Sequence, residues 1–400
     1  MSQVRVERIV SLNDSAAPDF PTGFTVTGQT LDEKYPKNIF VKGVVDSSGI
    51  PEDSSSGLYW WNADHDSGKG LLAVNVKGSW IGVTKYVEPP VPTPGWLGNR
   101  AHLAGGAFPN DSTIQYYDIT TPGNSTDFGD LTSNFWGKGT ASSGTTIVSA
   151  GGNRYDGSYT TGNQIDTWTS ATPGNATDFG DLSQGRQDVA ATGDGTYGIW
   201  GGGRTGNSST TYVNTIDYVT IASAGNAADW GDLTISRWGL SAGGDATRGL
   251  YIGGKYPYDY GGSSPDPQQS NVVDYITYAT AGNAVDFGDM LEAHELAQNG
   301  MVTSATRSLR GGGENTSTSS IEYYTTATTG NGTDFGDLTA NRYHLAGASN
   351  GTYGTFAAGT TGSYSNVIEY VTIATTGNAI DFGDTYAAKY ALSGAAGNAS

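Results

Sequence analysis

Short apolar stretches alternate with polar, glycine-rich turns along the last three quarters of the chain. Residues 216–221, Ile-Asp-Tyr-Val-Thr-Ile, alternate apolar and polar positions, as expected of a strand with one buried face. Related stretches begin at Ile114, Ile165, Val273, Ile321 and Ile368. Glycine runs precede most of them, and glycine permits a positive φ or a close approach between strands. The pattern predicts a mostly β chain built from repeated short strands.

An octapeptide with the consensus Gly-Asn-x-x-Asp-(Phe/Trp)-Gly-Asp sets the period of these strands. It occurs six times, at residues 123–130, 174–181, 225–232, 282–289, 330–337 and 377–384. Successive copies begin 47 to 57 residues apart, and a period of about 50 residues is typical of a four-stranded propeller blade. We interpret the octapeptide as a structural turn, in which Asn adopts the left-handed region and Asp caps backbone donors. The alternative is a calcium site, because Asp127, Asp130 and their counterparts supply oxygen ligands.

The two ends of the repeat region determine the number of blades. Residues 101–106 match the second strand of later repeats, so the first repeat lacks its own first strand. Residues 388–394 match the start of the sixth repeat at residues 341–347, which predicts a first strand without the rest of its blade. A C-terminal strand that completes the N-terminal blade would close the ring without exposed sheet edges. The sequence therefore predicts six blades over residues 97–400.

The repeats resemble a known family. A glycine doublet that ends one strand, followed by an aromatic strand at this spacing, resembles the kelch-type β-propeller. The string at residues 329–342, Thr-Gly-Asn-Gly-Thr-Asp-Phe-Gly-Asp-Leu-Thr-Ala-Asn-Arg, is similar to kelch-like repeats of virion proteins from tailed phages, especially marine ones. The resemblance implies an all-β, six-bladed kelch-like propeller and a structural role in a virion. The tryptophan that follows the aromatic strand in cellular kelch proteins is mostly absent, so their cytoskeletal and ubiquitin-ligase roles are not expected.

The segment before the repeats has a different pattern. Residues 57–62 and 71–76, both rich in apolar side chains, flank a polar turn, which predicts a β-hairpin. This segment resembles a small "LYW…GKL…V…W" β-module found near the start of phage fibre proteins. The Pro-rich residues 89–94 predict a stiff spacer. We divide the chain into a small β-rich N-terminal region, comprising a virion-anchoring segment (1–48) and a β-hairpin module (49–88), then a Pro-rich linker (89–96) and the propeller (97–400).

Composition and charge exclude several classes of function. The chain carries 20 basic and 39 acidic residues and a net charge of −19, which opposes binding to nucleic acid and to anionic membranes. It contains no cysteine, which excludes disulfides and thiolate metal sites. Galactose oxidase shares the kelch architecture, but the copper centre that this resemblance implies needs a cysteine crosslinked to tyrosine. We expect no cofactor and no metal.

No residue set predicts catalysis. The Asp-Phe-Gly strings lack the lysine and the His-Arg-Asp loop of kinases, and sialidase-type Asp-box turns do not occur. The acidic residues repeat from blade to blade, so no carboxylate pair for glycoside cleavage stands out. Histidines without zinc-site spacing, which we interpret as surface or hydrogen-bonded strand residues, are His65, His102, His294 and His344. We expect a protein that is not an enzyme, with a polysaccharide-degrading enzyme as an alternative.

Irregular insertions mark the predicted ligand site, because insertions in repeat proteins map to loops on one face. The fourth repeat contains a tyrosine-rich loop at residues 255–262, for which we expect no partner strand, and the second repeat has a related insertion. A tyrosine ring can stack on a sugar while its hydroxyl forms a hydrogen bond. The predicted ligand-binding residues are Arg154, Tyr155, Tyr159, Tyr256, Tyr258, Asp259 and Tyr260. Packing against the next blade or a neighbouring subunit is the other interpretation.

Together these features favour a phage virion structural protein of the fibre or appendage class that displays its propeller for adhesion to host-surface polysaccharide. The expected partners are other virion proteins, bound through the N-terminal region, bacterial surface polysaccharide, and further copies in a homo-oligomer, with neither nucleic acid nor membrane among them. The expected location is the virion, assembled in the host cytoplasm. Many copies would supply avidity. The alternative is a purely architectural head, neck or tail decoration protein without a host ligand.

Overall fold

A computed structural model describes residues 19–20, 24–25, 38–40, 59–62, 71–76, 79–85, 97–107, 111–155, 159–206, 211–257, 268–294, 300–314 and 318–399. The regular secondary structure in these ranges consists of β-strands. The chain divides into two units, Met1–Val91 and Pro92–Ser400. We describe each unit by itself.

The described residues of the first unit form two small antiparallel sheets. Strand β1 (Asp19–Phe20) pairs with β2 (Phe24–Thr25). The second sheet runs in chain order through β3 (Asn38–Phe40), β4 (Tyr59–Asn62), β5 (Leu71–Val76) and β6 (Ser79–Lys85). Strands β4 and β5 correspond to the two apolar stretches of the sequence, and Tyr59 lies opposite Val74.

The second unit is a six-bladed β-propeller, as the repeat period predicts. Each blade contains four strands that lie side by side in an antiparallel sheet. In blades 1 to 6 the first strands are β33 (Ser393–Gly397), β10 (Trp136–Ser142), β15 (Ala190–Gly193), β19 (Ser241–Gly244), β25 (Met301–Thr303) and β29 (Ala346–Ser349). The second strands are β7 (Arg100–Ala104), β11 (Thr146–Tyr155), β16 (Tyr197–Gly201), β20 (Arg248–Ile252), β26 (Arg307–Gly313) and β30 (Tyr353–Ala357).

The third and fourth strands complete each blade toward the outside. The third strands are β8 (Thr113–Asp118), β13 (Gln164–Thr169), β17 (Thr215–Thr220), β23 (Val272–Thr277), β27 (Thr318–Thr325) and β31 (Ser365–Thr372). The fourth strands are β9 (Thr126–Asp130), β14 (Thr177–Asp181), β18 (Ala228–Asp232), β24 (Val285–Asp289), β28 (Thr333–Asp337) and β32 (Ile380–Lys389). Short additional strands are β12 (Tyr159–Thr161), β21 (Lys255–Tyr256) and β22 (Gln268–Gln269).

The first strands form the inner wall of the ring, and the ring is closed. Each first strand contacts the first strands of both neighbouring blades, and β33 contacts β10 and β29. Strand β33 pairs antiparallel with β7, with Ser393 opposite Ala104 and Gly397 opposite Arg100. This confirms that the C-terminal strand completes the first blade. The strand begins at Ser393, because Ala391 has a φ of +60° and turns the chain before it.

The hydrophobic core lies between the blades. Six clusters of buried side chains each join residues of two adjacent blades, one cluster for each junction of the ring. At the junction of blades 2 and 3, Trp200 is fully buried, and its Nε1 donates to the Gly139 carbonyl oxygen at 2.9 Å. Aromatic residues of the octapeptides, such as Phe179, belong to these clusters. A blade therefore cannot bury its apolar faces without both neighbours.

The octapeptide forms more than the turn that we predicted. It also supplies the outer strand of its blade and a hydrogen bond to the next blade, which we call the clasp. Its second half forms the fourth strand, and none of its six Asn residues has a positive φ. Instead, Asn175 Oδ1 accepts a hydrogen bond of 3.1 Å from Asp130 N of the preceding blade. The same contact, at 3.0–3.1 Å, recurs at all six junctions, including Asn124 with Asp384. The Asn amide therefore caps a neighbouring strand rather than shaping its own turn.

A buried ion pair holds five of the six blades together internally. In blade 3, Arg186 and Asp217 are fully buried, with 2.7 Å between Arg186 Nη2 and Asp217 Oδ2. Arg186 Nη1 also donates to the carbonyl oxygens of Gly202 and Thr215, at 2.8 and 2.7 Å. The acidic residue at the same third-strand position forms the pairs Lys138–Asp166, Arg237–Asp274, Arg310–Glu322 and Arg342–Glu369. The cations of blades 2 and 5 differ in position, because Lys138 lies in β10 and Arg310 in β26. In blade 1, the buried Gln115 occupies the acidic position.

The two ends of the propeller differ in the connections they carry. The strands of each blade alternate in direction. The connections from first to second strands and from third to fourth strands therefore lie at the same end of the propeller, which we call the lower end. The upper end holds the connections from second to third strands and from blade to blade. In blades 2 to 6 the first-to-second connections all have three residues, for example 194–196 and 245–247. The second-to-third connections range from four residues, 314–317, to nineteen, 253–271.

Candidate binding surface

The upper end is organised by a glycine doublet, or Ala-Gly in blade 6, that follows the second strand or lies within it, as in blades 2 and 5. In blade 3, Gly202 and Gly203 have φ values of +67° and +98°, as the sequence predicts. A Cβ on Gly202 would lie 2.6 Å from the Arg237 carbonyl oxygen of the next blade, so no side chain fits. In blade 6, Ala358 keeps the same conformation with a φ of +61°. After the doublet, the chain turns back along the segment that enters the blade, as in the antiparallel pairing of Gln187 with Arg204.

The predicted ligand residues of blade 2 lie on a hairpin at this end. Strands β11 and β12 pair antiparallel, with Arg154 opposite Thr160 and Tyr155 opposite Tyr159. The Arg154 guanidinium carbon lies 5.5 Å from the ring centre of Phe135. The side chains of Tyr155 and Tyr159 lie outside the described part of the structure.

The tyrosine-rich insertion of blade 4 begins as a paired strand. Lys255 and Tyr256 pair with Gln269 and Gln268, so the expectation that this insertion has no partner strand is wrong for its first two residues. Such pairing satisfies backbone groups that a free loop would leave to water. The half-buried Tyr256 is the only one of the four predicted residues here within the described ranges. Tyr258, Asp259 and Tyr260 lie outside them.

The central channel contains a small cavity toward its lower end. Its wall is made of the first strands, and its cavity measures about 80 Å³, whereas pockets for small molecules measure about 300–1,000 Å³. The lining side chains are mostly small, among them Ala141, Ala191, Ala242, Ala348 and Ala395. This cavity is too small for a sugar. The upper end of the channel, which we call its mouth, is bordered by the segments that lead into the first strands.

Backbone in the left-handed region surrounds this mouth. Five equivalent positions where the chain enters the first strand have φ between +56° and +77°, namely Gly137, Asp188, Gly239, His344 and Ala391. Hydrogen bonds join them, for example from Gly239 N to the Asp188 carbonyl at 3.2 Å and from Ala391 N to the His344 carbonyl at 3.3 Å. The counterpart in blade 5 falls in residues 295–299, outside the described ranges. Two of the five positions carry ionisable side chains, Asp188 in blade 3 and His344 in blade 6.

Ionisable and aromatic side chains of four blades converge beside the mouth. We call the group Asp188, Arg204, Trp238, Lys255, Glu314 and His344 the upper-end cluster. Arg204 Nε lies 3.2 Å from Asp188 Oδ2, and the Arg204 guanidinium lies 4.0 Å from the Trp238 ring centre. Lys255 Nζ lies 5.4 Å from the same ring centre and 3.4 Å from Glu314 Oε2. Sequence reasoning missed this cluster.

A signal for the cluster is present in the sequence. Trp238, Tyr343 and Tyr390 each follow the basic residue that enters their blade, so an aromatic side chain repeats at this position. The structure places all three at the upper end, where Tyr390 also stacks on Tyr364 at 5.3 Å between ring centres. An alignment of the repeats that included this position would have indicated an aromatic upper end.

The histidines differ from their sequence interpretation in position and environment. His344 precedes strand β29 rather than lying in a strand, because its backbone turns with a φ of +60°. Burial, followed by the charges of Lys255 and Arg204, lowers the pKa of His344 to about 4, although Glu314 opposes the shift. His294 also precedes its first strand, and its Nδ1 donates to the Glu314 carbonyl at 3.1 Å.

His102 does lie in a strand, β7, and is buried. Its ring packs edge-on against Phe128 at 4.7 Å between ring centres, and its Nδ1 accepts a hydrogen bond of 3.3 Å from Trp168 Nε1. Burial, aided by the charge of Arg100, lowers its pKa to about 3. The side chain is therefore neutral at physiological pH.

Neither a metal site nor a membrane-spanning helix is found in the described residues, and comparison with known proteins gives no family for the chain. No group of three or more His, Asp or Glu side chains in the described ranges could hold a metal ion. None of the described segments forms a helix of the length and apolarity needed to cross a membrane. Neither protein-family models nor curated proteins match the chain.

Proposed function

We propose that the chain is a non-enzymatic structural protein of a tailed-phage virion, of the fibre or appendage class, whose propeller binds polysaccharide on the host surface. The similarity of residues 329–342 to kelch-like repeats of tailed-phage virion proteins supports the virion role. The N-terminal region, 1–48, would attach the protein to other virion proteins. The protein would work as a homo-oligomer, whose many copies add avidity to weak single sites.

The contrast between the two ends of the propeller carries this proposal. Three-residue connections repeat at the lower end, whereas the upper-end connections differ in length from blade to blade and carry the β11–β12 and β21–β22 hairpins. A rigid scaffold with variable loops at one end is a common arrangement for binding proteins. Tyr256 and Arg154 lie on these hairpins and are partly accessible, which suits contact with a sugar.

We also propose that the protein is not an enzyme, because its interior carboxylates are buried and paired with arginines. Asp217, Asp274 and Glu322 are fully buried, and each contacts an arginine of its own blade. A carboxylate held in this way is neither exposed to substrate nor free to exchange a proton with it. A reducing-end assay on host envelope polysaccharide tests this part, and release of reducing sugar would contradict it.

Particle adsorption tests the binding role. Replacing Tyr256, Tyr258 and Tyr260 together with serine is expected to reduce adsorption to host cells about tenfold, equivalent to about 1.4 kcal/mol of binding free energy. Tyr386→Ser is the matched control, because this tyrosine is 69 % exposed on an outer strand and should leave adsorption unchanged. Intact particles of the triple variant that adsorb normally would remove these tyrosines from the binding surface.

A second candidate function is architectural decoration of the particle without a host ligand. The outer strands of blades 4 and 6, or the residues that follow them, expose apolar side chains, namely Val285 (54 %), Leu291 (52 %) and Ile380 (58 %). Exposed apolar side chains at a sheet edge favour contact with another protein. A particle reconstruction separates the two functions: decoration requires both propeller ends to be covered by virion chains, whereas adhesion requires an open upper end.

A further inference from the structure

We propose that the upper-end cluster binds a carboxylate-bearing sugar residue, so that the ligand of this surface is an acidic polysaccharide rather than a neutral one. Arg204 and Lys255 would pair with the sugar carboxylate above the mouth of the channel. This inference rests on the proposed function and names the chemical class of its ligand. It does not depend on Tyr256, Tyr258 or Tyr260, although Lys255 begins the hairpin that carries Tyr256.

The first argument is accessibility. Several basic side chains at the upper end are buried and paired within their own blades, with Lys138, Arg186, Arg237 and Arg310 at most 1 % exposed. Arg204 and Lys255 are 20 % and 19 % exposed. These two cations can therefore meet a ligand while their stems stay packed.

The second argument is that the two cations are held in place before any ligand arrives. Trp238 and Lys255 exchange backbone hydrogen bonds of 3.0 and 2.8 Å, and Arg204 does the same with Gln187 at 3.0 Å in each direction. Both side chains then lie over the ring of Trp238, at 4.0 and 5.4 Å from its centre. A preorganised pair loses little side-chain entropy on binding, which favours affinity.

The third argument concerns the acidic partners. Asp188 is 1 % exposed and lies beneath Arg204, so it stays in place when a ligand binds. Glu314 is 37 % exposed and lies 3.4 Å from Lys255, and an exposed pair of this kind contributes only about 0–1 kcal/mol. Glu314 is the more exposed partner of Lys255, so a ligand carboxylate can approach Lys255 from the solvent side and replace Glu314.

The fourth argument is the aromatic surface that continues from the cluster. His344 packs against Tyr390 at 5.2 Å, and Tyr390 stacks on Tyr364 at 5.3 Å between ring centres. Tyr364 is 46 % exposed and offers a flat face to the next sugar ring of a polysaccharide. Within the described ranges, Trp238 Nε1 and His344 Nδ1 are buried without a hydrogen-bond partner. Buried polar atoms of this kind are uncommon, so two ring nitrogens beside the cluster have no hydrogen bond within the protein.

Titration calorimetry with the full chain tests the proposal. The probes are oligogalacturonate, alginate oligosaccharide and hyaluronan oligosaccharide, with methyl-esterified oligogalacturonate, a sulfated oligosaccharide and dextran as comparisons. At least one of the three carboxylate sugars should bind, with at least about tenfold higher affinity than dextran and, for galacturonate, than its ester. Binding of none of them, equal binding of the ester, or stronger binding of the sulfated sugar would overturn the proposal.

Variants localise the binding. The double variant Arg204→Gln and Lys255→Gln should lose at least about tenfold in affinity, whereas Arg248→Gln should not. Arg248 is the matched control because its guanidinium also stacks on an aromatic ring, 4.7 Å from the centre of Tyr275, but at the lower end. Unchanged affinity in the double variant would overturn the proposal.

A third variant is expected to bind more tightly, and misfolding cannot produce tighter binding. Glu314→Gln removes the carboxylate that competes with the ligand for Lys255, so this variant should bind the acidic sugar several-fold more tightly. Equal or weaker binding by Glu314→Gln would contradict the proposed geometry. Failure of every acidic sugar, together with adsorption that still depends on Tyr256, Tyr258 and Tyr260, would leave the adhesion function standing and remove only this inference.

Discussion

Single buried charges determine much of the behaviour of this propeller. Arg186 is fully buried, and burial lowers its pKa, although Asp217 opposes the shift. Hydrogen bonds to Asp217 and to the carbonyl oxygens of Gly202 and Thr215 therefore stabilise the charged guanidinium in the interior. Such a network has little tolerance for the loss of one member, because the remaining charge would be left without compensation.

Asp217→Asn is accordingly expected to lower the free energy of unfolding by about 3–5 kcal/mol, the range for breaking a buried ion pair. Urea-induced unfolding measures this loss. Asp229→Asn, in the exposed part of the nearby octapeptide, is the control and should leave the unfolding curve unchanged. Equal stabilities of the two variants would show that the ion pair does not hold the blade together.

The two neutral histidines make stability depend on pH. Burial lowers the pKa of His102 to about 3 and that of His344 to about 4, from 6.5. Between pH 6.5 and 4 the unfolded chain therefore binds protons that the folded chain does not, so stability is full above pH 6.5 and falls on acidification. The expected slope is up to about 1.4 kcal/mol per pH unit for each histidine.

His344→Gln isolates one contribution to this slope. Unfolding free energies measured from pH 7 to 4.5 should fall less steeply for this variant than for the unchanged chain, because one proton-binding difference has been removed. Parallel curves for the two proteins would contradict the assignment of a buried neutral histidine at this position.

At the scale of elements, the octapeptide connects each blade to the next. Phe128 O and Asp130 O of blade 1 accept hydrogen bonds of 2.8 and 2.7 Å from Gly174 N and Ala176 N of blade 2. The seventh position must be glycine, because a Cβ on Gly129 would lie 2.3 Å from the Gly174 carbonyl oxygen. The repeated motif is therefore a solution to blade–blade contact rather than a site of chemistry.

Asn226→Ala should lower the free energy of unfolding by about 1 kcal/mol, the usual net contribution of one hydrogen bond. The amide of Asn226 accepts from Asp181 N at 3.1 Å, and alanine cannot replace it. Asp229→Ala, at an exposed octapeptide position outside the clasp, is the matched control for thermal unfolding. A larger loss in the control than in Asn226→Ala would contradict the clasp.

The strands and their grouping could be predicted from the sequence, because period and alternation depend on neighbours along the chain. The third strand beginning at Thr215 and the positive φ at Gly202 are examples. The clasp could not, because Asn226 meets its partner in another blade, and its identity as a turn-forming residue suggested a local role. The upper-end cluster was missed for the same reason, since Arg204 and Trp238 come together only when blades 3 and 4 pack against each other.

At the scale of the whole molecule, closure of the ring depends on one noncovalent pairing. Strand β33 supplies the inner strand of blade 1 and contacts the inner strands of blades 2 and 6. Its loss would expose Leu103 and the cluster that joins blades 6 and 1. The same pairing keeps the variable upper-end connections in a fixed arrangement, which a binding surface requires.

Removal of residues 393–400 is expected to abolish cooperative unfolding or leave the chain insoluble, because the exposed sheet edge and apolar cluster favour association. A synthetic peptide of residues 388–400, added during refolding, should restore a cooperative transition in calorimetry. A truncated chain that unfolds at the same temperature as the full chain would contradict closure by this strand.

Hydrogen exchange of the full chain, with and without the tightest-binding acidic oligosaccharide, tests most directly the claim that the variable upper end is the binding surface. The account predicts slower exchange at the upper-end segments 202–206 and 253–257, with no change at the lower-end turns 194–196 and 245–247. Protection confined to the lower-end turns or to the outer strands, with none at the upper end, would contradict it.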